Sequence, residues 1–81
     1  MGLEGELRKE IGKWAGRIEK EMEKAKPKNQ EGERFLSNIR AYIKDSKYFL
    51  EKGDLIRSFE AIIWAWSWIE ILKELGTLEQ G

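Results

Sequence analysis

The sequence predicts an all-α fold: a three-helix, up-down-up bundle with a tight helical hairpin between helices two and three. Three observations lead there. Apolar residues recur at spacings of three and four through three successive segments, the period of one helix face. Pro27 and the Gly53–Asp54 pair punctuate those segments. The run AIIWAWSWI, Ala61 to Ile69, sets three of the four tryptophans in a helix that is apolar on more than one side, and such a helix has to be covered from several directions.

The first helix is expected over about residues 3–25, where Leu3, Leu7, Ile11, Trp14, Ile18, Met22 and Ala25 form one stripe. Between them lie Lys, Arg and Glu side chains, many of them opposite charges three or four positions apart, each such pair worth a few tenths of a kcal/mol. Pro27 restricts Lys26 to extended dihedrals and ends the helix. The second helix, about 30–52, carries Phe35, Leu36, Ile39, Tyr42, Ile43, Ser46, Phe49 and Leu50 on its inner side. Gly53 supplies a left-handed residue to stop it, and Asp54 is the N-cap of the third helix, about 54–75. So short a hinge makes these two helices antiparallel neighbours.

In the third helix, Leu55, Phe59, Ile62, Ile63, Trp66 and Ile69 fall on one arc, and Ala61, Trp64, Ala65, Trp68, Leu72 and Leu75 on a nearly opposite one. Two covering surfaces are required. The polar remainder, Arg57, Glu60, Ser67, Glu70 and Glu74, is narrow. Part of the second arc is therefore expected to await another molecule. Gly76 is a natural C-cap, and Thr77 to Gly81 are expected to fray.

The 81 residues make a single domain, 1–81, which by size scaling buries only roughly 60% of its unfolded surface. Small domains often add disulfides, a metal or a partner chain. Cys and His are both absent here, which excludes the first and removes the usual zinc ligands, and leaves self-association. Fifteen basic side chains balance fifteen acidic ones, which argues against an electrostatic grip on nucleic acid or anionic lipid as the main purpose. The acids are nearly all Glu and the bases mostly Lys, a bias of heat-adapted proteins. Met1 leads straight into charged amphipathic sequence, and no apolar run approaches the roughly 20 residues that span a bilayer. A cytoplasmic protein with no membrane association is the expectation.

From Tyr42 to Glu70 the sequence YIKDSKYFLEKGDLIRSFEAIIWAWSWIE resembles a small archaeal family of helical proteins known only as domain of unknown function 357. The resemblance rests on Tyr42, Asp45, Phe49, Leu50, Gly53, Asp54, Phe59, Glu60, Ala61, Trp64 and Ala65. Ser58 and Ser67 stand where small residues, usually Ala, are expected. The resemblance implies an all-helical fold and an archaeal source, and it brings no activity with it. The stretch FLEKGD with small residues at Ser58 and Ala65 is also similar to one tetratricopeptide unit, but the period does not recur, and such arrays need about three stacked repeats.

Candidate chemistry is sparse. Asp45, Glu51, Asp54 and Glu60 are the acids closest to the hairpin, and paired carboxylates bind hard cations or share protons. Capping accounts for Asp54, solvent for Glu51, and a pair with Arg57 or Lys73 for Glu60; Asp45 is expected to bond across helices. Ser37, Ser46, Ser58 and Ser67 have no histidine base, and a nucleophilic Cys is missing. The chain is therefore read as no enzyme, with no cofactor and no metal. Helical RNA-cleaving toxin domains, which rely on an Arg and a His, are disfavoured for the same reason.

Interaction is the function that remains, as a homodimer or with a protein partner. Trp64, Trp68 and Leu72 are the interface candidates, with Trp14 beside them, because large rigid side chains contribute most when fully desolvated. The alternative is a nucleic-acid-binding accessory protein that contacts phosphates through Arg40, Lys44 and Lys47 on helix two, with Lys24, Lys26 and Lys28 near the first turn. A third reading is an enzyme with an unrecognised carboxylate site.

Overall fold

The structure is a computed structural model and describes residues 2–79. Its elements are α1 (Leu3–Lys24), β1 (Lys26–Pro27), α2 (Gln30–Glu51), α3 (Leu55–Leu75) and β2 (Leu78–Glu79). Local signals set the boundaries. Ala25 is already extended ahead of the proline (φ −71°, ψ 126°). The Asn29 side chain then caps α2 by accepting from the Gly32 amide at 2.8 Å. Gly53 takes φ 80°, a region only glycine enters freely, and Asp54 accepts the Arg57 amide at 3.2 Å as the N-cap of α3. Gly76, at φ 70°, ends α3.

Side-chain partners give the directions of the helices. Trp66 bonds to Trp14 and Lys73 to Glu21, both at a separation of 52 residues, so α1 and α3 run parallel. Along α2 and α3, Phe35 meets Trp68, Tyr42 meets Trp64 and Ser46 meets Ser58; one number rises as the other falls, so the pair is antiparallel. The result is an up-down-up bundle measuring 44 × 18 × 17 Å.

At its centre lies α3. Leu55, Ala61, Ile62, Ala65, Ile69 and Leu72 are buried there against Ile11 and Ile18 of α1 and Leu36, Ile39 and Ile43 of α2. Both predicted arcs of α3 contribute to this core. The outer helices lean on α3 more than on each other, and an ion pair from Lys47 to Glu19 at 2.8 Å spans the gap between them.

The hairpin is fastened by a reciprocal serine pair. The Ser46 hydroxyl donates to the Ser58 carbonyl at 2.9 Å, the Ser58 hydroxyl donates to the Ser46 carbonyl at 2.8 Å, and the two hydroxyl oxygens lie 3.0 Å apart. Both side chains are buried, and small residues at these positions let the helices approach. Ser46→Ala or Ser58→Ala alone is expected to cost about 1 kcal/mol, while the double substitution costs less than the sum, because the two hydroxyl oxygens are in contact and each single variant also leaves a gap beside the one that remains. Urea denaturation of the three variants measures this coupling, and strict additivity would show that the two hydroxyls act separately.

The far end of the bundle corrects the expectation that the chain frays from Thr77 onward. The Thr77 amide and hydroxyl both donate to the Leu72 carbonyl, at 3.2 and 3.1 Å. Lys28 donates its amide to the Thr77 carbonyl at 3.0 Å, and β2 pairs antiparallel with β1, Lys26 opposite Glu79 and Pro27 opposite Leu78. Leu78 is buried in the core. A Cβ at Gly32 would lie 2.9 Å from the Thr77 carbonyl oxygen, so this close crossing requires glycine. Gln80 and Gly81 lie outside the described residues.

Candidate functional site

The four tryptophans are held in three different ways. Trp66 turns toward α1, where its Nε1 donates to the Trp14 carbonyl at 3.2 Å and its ring meets that of Trp14 edge-on, centroids 5.7 Å apart at 87°. Trp14 is half-buried in this contact, donates Nε1 to Glu10 at 3.1 Å and carries the Arg17 guanidinium 4.8 Å from its ring centroid. Trp68 is half-buried and stacks on Phe35 of α2, centroids 5.2 Å apart at 21°. Trp64 stacks on Tyr42 at 6.3 Å and 16° yet remains 56% exposed.

These placements correct the interface set expected from the sequence. Leu72 is fully enclosed by its own chain and is a core residue. Trp14 and Trp68 spend much of their surface on neighbouring helices. Of the four, Trp64 alone is both large and open. The apolar surface that remains uncovered on α3 is a third side of the helix, between the two arcs: Ile56, Ile63, Trp64, Ile71 and Leu75, each more than two-fifths exposed. Ser67 sits among them with its hydroxyl turned back onto the Ile63 carbonyl at 2.9 Å, which removes a donor from the surface. By helical spacing the exposed Glu60 and Glu74 lie among these apolar residues, with Glu70 beside them.

Beside Trp64 a groove opens between α2 and α3. Tyr42, Phe49, Ala61 and Trp64 give it an apolar lining, with Asp45 and Glu60 contributed by the two facing helices. Six of the residues that carry the resemblance are thus gathered at one place. Among the described residues neither acid has an ion-pair partner, contrary to the expected bonds from Asp45 across the helices and from Glu60 to Arg57 or Lys73. Arg57 also lines the groove, and its guanidinium lies 3.5 Å from Asp54 and over the Phe49 ring. Lys73 is committed to Glu21 and Glu70; the hydrogen bond to Glu21 is the main reason its pKa is raised above the ordinary 10.5, with slight desolvation opposing and the charges of Glu21 and Glu70 assisting.

The basic stripe on α2 is largely neutralised where it stands. Arg40 pairs with Glu33 at 3.4 Å and Lys47 with Glu19 at 2.8 Å, which leaves Lys44 without a salt bridge among the described residues. The hydroxyls of Ser46 and Ser58 are consumed by their mutual bonds, and no three His, Cys, Asp or Glu side chains gather to hold a metal among the described residues. No helix there is long and apolar enough to cross a membrane.

Comparison with known proteins agrees with this architecture. The family model described as "Protein of unknown function (DUF357)" matches residues 13–78, from the third turn of α1 to the buried Leu78. The crystal structure of protein AF1782 from Archaeoglobus fulgidus, of the same family model, is similar over 99% of this chain and 100% of its own, with 50% sequence identity and a TM-score of 0.88. No curated protein matches the chain. With more than two-thirds of the sequence matched, including the second half of α1 and all of α2 and α3, the chain belongs to the DUF357 family.

Proposed function

We propose that the protein is a non-enzymatic association module of the cytoplasm, and that a second copy of the chain covers the outward face of α3. The observation that carries this reading is that face itself: Ile56, Ile63, Trp64, Ile71 and Leu75 lie uncovered on the one helix that already has neighbours on two other sides. Five large apolar side chains exposed on one helix, interspersed with Glu60, Ser67 and Glu74, are the mixed surface that a protein partner covers.

Magnitudes decide what shape the contact takes. A helix of 21 residues, about 30 Å long and about 10 Å wide, offers about 300 Å² on one side. A standard interface takes about 800 Å² from each partner, close to the full 44 × 18 Å side of this molecule. The flanking rows of α1 and α2 therefore take part, and two copies meet broadside. The surface ion pairs and the Glu- and Lys-rich composition support a heat-adapted source, in which self-association and ion-pair networks serve the same end.

Sedimentation equilibrium tests the reading. The parent is expected at twice the 9.5 kDa monomer mass at micromolar concentration. Ile71→Glu, an exposed position in the middle of the face, is expected to keep its helical spectrum and to weaken association by about tenfold or more. A parent that stays monomeric, or an Ile71→Glu variant that associates as tightly as the parent, would overturn the proposal.

A further inference from the structure

We infer that α3 of each copy lies against a basic row on α1 of the other, so that the two copies join through opposite charges as well as apolar side chains. This rests on the reading of α3 as a self-association surface and says which part of the second copy covers it. Lys9, Lys13, Arg17, Lys20 and Lys24 follow one another on α1 at spacings of four, four, three and four, a single row about 22 Å long. All five are exposed, and among the described residues only Lys13 has an ion pair, at 3.9 Å to Glu10. Neighbours fix the place of the row. Glu19 marks the α2 side of α1 through Lys47, Trp14 marks the α3 side through Trp66, and the row continues round the helix past Trp14, with Arg17 over that ring. Nearby acids do not cancel it: Glu10 accepts from Trp14, Glu21 accepts from Lys73, and Glu6 precedes the first member.

The face of α3 has the complementary need. Of its exposed acids Glu60, Glu70 and Glu74, only Glu70 has an ion pair among the described residues, at 3.9 Å to a lysine, Lys73, that Glu21 already holds. Two α3 helices meeting head-on would set acid on acid in either sense. Parallel, each glutamate meets its own counterpart; reversed about Ser67, Glu60 meets Glu74, because each lies seven positions from that serine. Like charges so placed oppose association. A sideways shift toward α1 of the second copy removes the clash. Within one chain Trp14 stands level with Trp66 and Glu21 with Lys73, an offset of 52 residues in both cases. A two-fold axis parallel to the bundle keeps every level. It therefore brings Glu60 beside Lys9 of the second copy, Glu70 beside Arg17 and Lys20, and Glu74 beside Lys20 and Lys24. The lysine stems then lie along Ile63 while their ammonium heads reach the carboxylates.

Sedimentation equilibrium at two salt concentrations, with charge-reversed variants, tests the arrangement. The parent dimer is expected to weaken about threefold or more between about 50 mM and about 500 mM NaCl, because salt screens opposite charges at an exposed contact. The Arg17→Glu, Lys20→Glu variant and the Glu70→Lys, Glu74→Lys variant are each expected to dimerise about tenfold or more weakly than the parent, with helical spectra that show the fold intact. An equimolar mixture of the two is expected to recover the parent's affinity, since every reversed acid then faces a reversed base. The inference is overturned if salt strengthens the dimer or leaves it unchanged, as acid on acid or a purely apolar contact would. It is also overturned if the Arg17→Glu, Lys20→Glu variant dimerises as tightly as the parent, the result for a row that serves phosphates instead, or if the mixture is no tighter than its components. A parent that is monomeric throughout removes the dimer itself. A parent dimer indifferent to salt and to these reversals leaves the dimer standing and removes only the α1 contact.

Discussion

Leu72→Ala is expected to destabilise the domain by about 2–5 kcal/mol, the range for a leucine removed from a packed core. Leu72 has no exposed surface and shares the core cluster with Leu36, Ile69 and Leu78. The cavity opens where α3 ends and β2 turns back beneath it, next to the Leu72 carbonyl that holds Thr77. Against the roughly 5–15 kcal/mol that a natural domain has in total, this is a large fraction, and it corresponds to a fall in Tm of roughly 10 °C or more. The loss should be the same at low and high protein concentration. An interface role for Leu72 would instead make the effect vanish as the protein is diluted, so thermal melts across a concentration series separate the two.

The opposite sign is expected when glycines in α1 are replaced. Gly5, Gly12 and Gly16 lie inside the helix, and a Cβ added at any of them meets nothing within 4 Å. Glycine in a helix interior costs about 1 kcal/mol relative to alanine, mostly through the freedom it has when unfolded. The triple Gly→Ala variant is therefore expected to gain about 2–3 kcal/mol, with Tm raised by roughly 10 °C or more. Differential scanning calorimetry reads this directly. A triple variant no more stable than the parent would mean that α1 is not helical through this stretch. The gain is confined to α1: Gly53 and Gly76 hold positive φ, where a side chain is strained, and Gly32 has the Thr77 carbonyl against it.

How much of this was legible in the sequence depended on how far apart the deciding residues lie. The helices were, because their causes are local: a stripe at spacings of three and four, a proline after Lys26, a glycine and an aspartate in adjacent positions. The boundaries fall within a residue of those expected. The Ser46–Ser58 fastening was not, since each serine alone reads as a merely small residue and only the antiparallel register brings the two together. The ribbon of β1 and β2 was missed for a similar reason. Its partners lie some fifty positions apart, and the tail GTLEQG shows only one apolar residue, Leu78, to betray a buried end.

That omission propagated to the site. Without the returning chain, Leu72 looked like surface at the end of an arc, whereas the segment that follows it closes over the same cluster. Nor does periodicity rank Trp64 against Trp68. Both fall on one arc, and what separates them is the fit of Phe35 against Trp68, a matter of side-chain shape across two helices. The correct part of the expectation was general: α3 has more apolar surface than α1 and α2 hide, and Trp64 marks where it emerges.

The two ends of the bundle are closed by different means, and this grades the molecule's resistance to opening. At the Gly53–Asp54 end the connection is covalent and short, and the serine clasp lies near it, so α2 and α3 form a tight local pair that rejoins quickly after any fluctuation. At the other end α1 is secured through a latch of chain segments remote in sequence, Lys26 to Lys28 against Thr77 to Glu79. Beyond that latch, α1 is held to α3 by Ile11, Ile18 and the Trp66–Trp14 bond, with no short covalent connection between the two helices. The backbone amides of α1 are therefore expected to exchange with solvent before those of the α2–α3 hairpin.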